Sequence, residues 1–171
     1  LATRGRWNMT QNTQPPSKGA GIGIGAVLLA LPIVAYFEAF RPTTYVDPVG
    51  IPTVCFGETD KAITMQERFS REQCYGLLGA SLQKHAMAIS QCIVVPLKDH
   101  EAAAVLSWGY NVGPAAACGS TLVRKLNAGA PAAEWCPELR KWVYAKGKKL
   151  RGLEIRREKE EALCLRGEIP T

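Results

Sequence analysis

Residues 37–59 read FEAFRPTTYVDPVGIPTVCFGET, and they follow directly on an uncharged apolar run. From Thr43 onward, β-branched and aromatic residues are punctuated by Pro48, Gly50, Pro52 and Gly57, the pattern of short strands joined by tight turns. The spacing predicts a small hairpin or meander over residues 43–60. Glu38 then stands at the end of an apolar helix, and Asp47 stands in the turn-rich element nine positions on. Thr53 follows six positions after Asp47. A surface loop scatters such groups freely, whereas a helix end and a hairpin can present them from opposite walls of one cleft.

Downstream the periodicity becomes helical. Ser70 is placed to cap a helix with Gln73 at the capping-box position, and Cys74, Leu77, Leu78, Leu82, Ala86 and Ile89 recur on one face. After Pro96, Asp99 is placed to cap a second helix through residues 100–111, stopped by Gly113 and Pro114. A third helix fits residues 120–127, ended by Ala128 and Gly129. Pro131 can open a segment running to Ala145, which Pro137 must divide or kink. A last helix over residues 153–165 is closed by Gly167. A small β element followed by a mostly helical body is α+β organisation.

Upstream, residues 19–37 carry no charge, and a helix of that length would span about 28 Å, close to a bilayer's hydrocarbon core. Four glycines, Ala20, Ala26 and Pro32 dilute the Leu, Ile and Val content, so only marginal insertion is expected. The segment can be a cleaved signal peptide, an ordinary buried helix, or an uncleaved export segment that later leaves the bilayer. Cleavage near Ala35 would leave Glu38 almost at a new terminus with nothing to hold it. Residues 1–18 are polar and are expected to be disordered or tag-derived, with Met9 a possible start.

The chain of 171 residues fits one domain with an added terminal segment, and 47% hydrophobic content is too high for general disorder. A net charge of +6 suggests an anionic partner such as a wall polymer, a membrane surface or nucleic acid. Six cysteines, at positions 55, 74, 92, 118, 136 and 164, form no CxxC pair, which speaks against a metal site. Their even number fits up to three disulfides in an oxidising compartment, the other possibility being buried thiols. Spacing alone does not give the pairing.

Glycosidic cleavage needs one carboxylic acid to donate a proton to the leaving oxygen and one carboxylate to direct a water or attack the sugar. Phe37, Ala39 and Phe40 flank Glu38, and an apolar setting suits the proton donor. Asp47 lies among turn residues, with the Thr53 hydroxyl able to hold a water beside it.

These residues carry a resemblance. The order E-AFRPTTYVD-PVGIPT-VCFGET, YNVG at 110–113, RKW at 140–142 and RREKEEALCLRG at 156–167 resembles the phage-type lysozymes of glycoside hydrolase family 24 over about residues 36–167. The resemblance implies a lysozyme-like fold, with residues 36–171 as the catalytic domain. It implies a cofactor-free muramidase that cuts the β-1,4 bond between N-acetylmuramic acid and N-acetylglucosamine in peptidoglycan. Glu38 matches the general acid, Asp47 the second acid and Thr53 the water-positioning threonine of an inverting mechanism. Tyr110 and Asn111 match a cleft-lining aromatic and amide, and Arg157 an arginine near the catalytic glutamate. The ordinary alternatives are a core tyrosine, a helix-ending asparagine and a surface ion pair of Arg157 with Glu154, Glu160 or Glu161.

The apolar run leading into Glu38 resembles that of signal-arrest-release endolysins, which are exported, tethered to the host inner membrane in an inactive form and later released into the periplasm. A monomer acting on peptidoglycan, with transient membrane contact and no nucleic-acid partner, is what this implies. The competing function is a non-catalytic, membrane-anchored wall-binding or lysis-accessory protein using Arg140, Lys141, Lys146, Lys148, Lys149 and Arg151.

Overall fold

The glycine-rich run gives way to a helix at Ile24. In the computed structural model, which describes residues 21–59 and 63–169, α1 spans Ile24–Phe37, so helix formation begins later than residue 19. Gly21 adopts a positive φ, and the Ile22 N–H is taken by the Ser90 hydroxyl at 2.9 Å, so the chain enters α1 extended. Residues 1–18, expected to be disordered, and the first two positions of the apolar run lie outside the described residues. Among the described residues no helix is long and apolar enough to cross a membrane.

Ala26, Val27, Ala30, Ile33 and Val34 form the buried face of α1, at helical spacing. That face packs on α2 (Arg71–Ser90) and most extensively on α3 (Asp99–Val112). α3 is the central element, buried continuously from Glu101 to Gly109, which explains its run of alanines and small residues between larger neighbours. At Gly109 a Cβ would come within 2.4 Å of the Ile89 side chain, so glycine lets α2 approach closely.

The capping box expected at the start of α2 is present: the Ser70 hydroxyl accepts the Gln73 N–H, and the Gln73 side-chain amide oxygen accepts the Ser70 N–H. For α3 the cap shifts by one residue. Lys98 is the N-cap, Asp99 is the first helical residue, and the Glu101 carboxylate accepts the Lys98 N–H at 2.9 Å. Beyond Gly113 come α4 (Pro114–Cys118), α5 (Thr121–Asn127) and α6 (Ala132–Trp135). α4, of five residues, was not foreseen, being too short to show a period.

Pro137 does divide the next segment: residues 136–141 wind as a 3-10 helix. The chain then forms a hairpin, β3 (Tyr144–Ala145) with β4 (Lys148–Lys149), in place of the helix expected to reach Ala145. Lys146 and Gly147 both have positive φ, the requirement of a two-residue turn matched to strand twist. α7 (Arg151–Arg166) closes the fold on α3 and ends at Gly167, left-handed as a helix-stopping glycine should be.

The small lobe is an antiparallel hairpin of β1 (Arg41–Val46) and β2 (Pro52–Cys55). Tyr45 faces Thr53 in register, but Arg41 faces Cys55, so β1 carries two extra residues as a bulge. Its other edge is covered by residues 67–69, through Thr44 N–H to Glu67 and Phe69 N–H to Pro42. Three disulfides tie these parts together: Cys55–Cys74 joins the lobe to α2, Cys92–Cys118 joins the end of α2 to α4, and Cys136–Cys164 joins the 3-10 turn to α7.

Candidate active site

Glu38 ends α1. Its N–H bonds to the Val34 carbonyl at 3.0 Å while its own backbone is already extended, so the residue stands where the chain leaves the helix for the lobe that follows. One oxygen, Oε1, accepts from Nη1 of Arg156 at 2.9 Å. Among the described residues Oε2 has no hydrogen bond. The Glu38 side chain is 27% exposed, and its partner guanidinium also lies over the Phe37 ring, 5.2 Å from the centroid. The surroundings of Glu38 are thus a charged clamp on an apolar base, and not the purely apolar pocket that Phe37, Ala39 and Phe40 suggest.

The arginine at Glu38 is Arg156, one residue before the Arg157 to which the resemblance pointed. On α7, residues 156, 157 and 160 turn inward together, and all three are buried. Glu160, fully buried, gathers them: Oε1 accepts from the Ser107 hydroxyl at 2.7 Å and from Arg156 Nε at 3.1 Å, and Oε2 accepts from Arg157 Nη1 at 2.5 Å. Arg156 also donates to the Ser107 carbonyl at 3.2 Å. Arg157 has no hydrogen bond to Glu38 and donates instead to the Asn111 side-chain oxygen. Its i,i+3 partner is Glu160, but this pair lies in the core and not on the surface. Burial lowers the Arg157 pKa, and the adjacent Glu160 charge opposes that effect. Asn111 remains exposed at the outer end of this ladder.

Asp47 and Thr53 share the β1–β2 hairpin. Asp47 Oδ1 accepts the N–H groups of Val49 and Ile51, each at 2.9 Å, and its backbone pairs with Ile51 and Gly50. The carboxylate is therefore fixed by the turn that it closes. Thr53 is buried, and its hydroxyl donates to the Ile51 carbonyl at 3.0 Å. With its proton committed, the oxygen keeps its lone pairs for accepting a bond from water. Among the described residues no hydrogen bond or ion pair joins Glu38 to either of them.

A third acid was missed. Glu58, in the same FGET stretch, is part-buried on the turn after β2, with Oε2 accepting the Phe56 N–H at 2.8 Å. Oε1 is buried without a partner among the described residues. Glu58 lines a groove of about 480 Å³ with Ser81, Lys84 and His85 of α2 and Tyr110 of α3. Burial raises the Glu58 pKa above the usual 4.5, and the Glu38 charge adds to the rise. Tyr110, half-buried and packed against the His85 ring at 4.7 Å, is pushed up to about 12 by burial and then by the charge of Glu58. Glu58 and Tyr110 line this groove together, and Glu38 is not among its lining residues. Glu58 could have been found as the only other acid in the quoted stretch that forms the lobe.

A second cleft, of about 470 Å³, lies by the β3–β4 hairpin and holds much of the basic cluster. Four of the six cations of that cluster are matched, Arg140 with Glu158 and Glu161, Lys141 with Glu138, and Lys149 and Arg151 with Glu154, while Lys146 and Lys148 have no ion pair among the described residues. Such pairing leaves the cluster less free to bind an anionic surface than its count of lysines and arginines implies.

Residues 35–160 match the phage lysozyme family. The SAR-endolysin of Bacteriophage PS119 is 38% identical over 150 residues, covering 87% of this chain and 89% of that protein. The SAR-endolysin of Bacteriophage PS34 is 37% identical over 155 residues, with 88% and 90% covered. Among solved structures, an endolysin from the Escherichia coli phage FAHEc1 superposes with a TM-score of 0.74 at 27% identity, covering 94% of this chain and 99% of that one. The match includes both the hairpin lobe and the helical body, the lysozyme-like α+β arrangement.

Proposed function

The chain belongs to the phage lysozyme family, as a lysozyme-type hydrolase, and we propose that it is an endolysin muramidase whose general acid is Glu38. The substrate is the β-1,4 bond between N-acetylmuramic acid and N-acetylglucosamine in peptidoglycan, and its hydrolysis opens the wall of the host. The observation that carries this proposal is the clamp on Glu38. Arg156 holds Oε1, so Oε2 is the oxygen left to meet the glycosidic oxygen and deliver the proton. Asp47, fixed by its turn, and Thr53, an acceptor by virtue of its bond to Ile51, direct a water to the far face of the sugar. Inversion by this pair requires roughly 6.5–9.5 Å between the carboxyls.

Placement of Glu38 depends on α1. Val27, Ile33 and Val34 on its buried face gain roughly 4.5–9 kcal/mol against water on docking, at 1.5–3 kcal/mol each. The opposite face exposes Ile24, Leu28 and Tyr36, at 66%, 65% and 55%. A helix apolar all round with one face in solvent suits a segment that has a second, lipid environment. We therefore assign residues 19–37 as a signal-arrest-release segment and residues 36–171 as the catalytic domain, in keeping with the names of the SAR-endolysin relatives. While the segment is embedded, α1 is not on α3 and Glu38 is not at Arg156. Release into the periplasm docks α1 and completes the site.

Wall clearing by the released protein against its Glu38→Gln variant tests the assignment. A loss of about a thousandfold is expected for removal of the proton donor. Equal clearing would remove Glu38 from the chemistry.

A further inference from the structure

Resting on the muramidase assignment above, we propose that Glu58 is a specificity residue of the glycan groove, its Oε1 accepting a hydrogen bond from the substrate, either a hydroxyl or an acetamido N–H of the sugar. The position is built with care. Reciprocal backbone bonds of 3.0 Å between Val54 and Glu58 close a tight turn, in which Cys55 and Gly57 both adopt positive φ. The Phe56 N–H then fixes Oε2 at 2.8 Å, which orients the whole carboxyl. Oε1 is left buried with no hydrogen bond of normal geometry among the described residues, the Tyr110 hydroxyl being the neighbouring polar group that acts on the carboxyl, and the groove beside it is open.

A buried acceptor without a partner is costly, and a folded protein retains one where a ligand supplies the missing donor. N-acetylated sugars are rich in such donors. Tyr110 and His85 form an aromatic wall next to the carboxyl, suited to the apolar face of a sugar ring, and Glu58 follows directly on the β1–β2 hairpin that carries Asp47 and Thr53. Burial disfavours the Glu58 charge, and a substrate N–H or O–H at Oε1 would offset that cost.

The Phe56 N–H makes the test unusually direct. In Glu58→Gln it still demands an acceptor, so the amide oxygen takes the place of Oε2 and the NH2 group turns into the groove. Fold and shape are kept while an acceptor becomes a donor. We expect the KM for a soluble peptidoglycan glycan to rise about tenfold with kcat within twofold, and the Kd for the trisaccharide of N-acetylglucosamine to rise in parallel. Glu58→Ala should raise both by a similar factor. An active wild type with unchanged KM and Kd in Glu58→Gln overturns this proposal alone, as does a fall in kcat at constant KM. An inactive released wild type overturns the muramidase assignment and this proposal with it.

Discussion

Glu160→Gln perturbs the site without touching any residue that meets substrate. Glu160 is fully buried and balances Arg156 and Arg157, of which Arg157 is fully buried and Arg156 nearly so. The amide has the shape of the carboxylate but no charge, and of its two ends only the oxygen can accept. Ser107, Arg156 and Arg157 all donate to this side chain, so at least one guanidinium would face an N–H2 group. Breaking a buried ion pair by removing one partner costs about 3–5 kcal/mol, far more than the pair itself is worth over a neutral replacement. For a domain of this size each kcal/mol lowers the midpoint of thermal unfolding by about 2–4 °C, which gives a fall of about 6–20 °C. Circular dichroism melts of the disulfide-intact protein read that fall. Clearing activity below the melting range should also drop, because Arg156, which holds Glu38, loses the buried charge that balances it. A midpoint within about 2 °C of wild type would show that the two arginines do not depend on Glu160, and would refute the reasoning.

The coupling of Glu58 to pH has a definite sign. Its folded pKa is raised above 4.5, so the folded state holds the proton more tightly, and stability falls as pH rises from that unfolded value through the folded one. Glu58→Gln, which keeps the Phe56 bond, should therefore gain stability relative to wild type at about pH 8 and little at about pH 4. An equal change at both pH values would contradict the burial of this acid. Replacing Cys136 and Cys164 together by alanine removes a cross-link between the 3-10 turn and α7, 28 residues apart in sequence, and should cost about 3 kcal/mol in denaturant unfolding. A cost below about 1 kcal/mol would mean that the turn is held by packing alone.

What the sequence revealed was local. The capping box of Ser70 and Gln73, the stop at Gly167, the break at Pro137 and the β punctuation of residues 43–60 are each set by neighbours a few positions away. The same locality explains the misses. Arg156 and Arg157 stand about 100° apart on a helix, and only the packing of α7 on α3 decides which one reaches Glu38. The cysteine pairing depends on contacts between distant elements. Glu58 looks like an ordinary turn acid until α2 and Tyr110 close over it and the Phe56 N–H fixes its carboxyl. The β3–β4 hairpin was hidden because Lys146 and Gly147 follow residues that also fit a helix, and the decision falls to two positive φ values. Asp47 and Thr53 were legible as a hairpin pair, but the hydrogen bonds that orient them, to Val49 and Ile51, appear only in three dimensions.

The central claim is that the general acid is delivered by docking of α1. It is tested most directly by the specific wall-clearing activity of the membrane-held form, measured beside that of the same full-length protein after release. Activity is expected in the released fraction and essentially none in the membrane-held fraction. Equal specific activity in the two would contradict it, because Glu38 would then reach its site without α1 on the helical body.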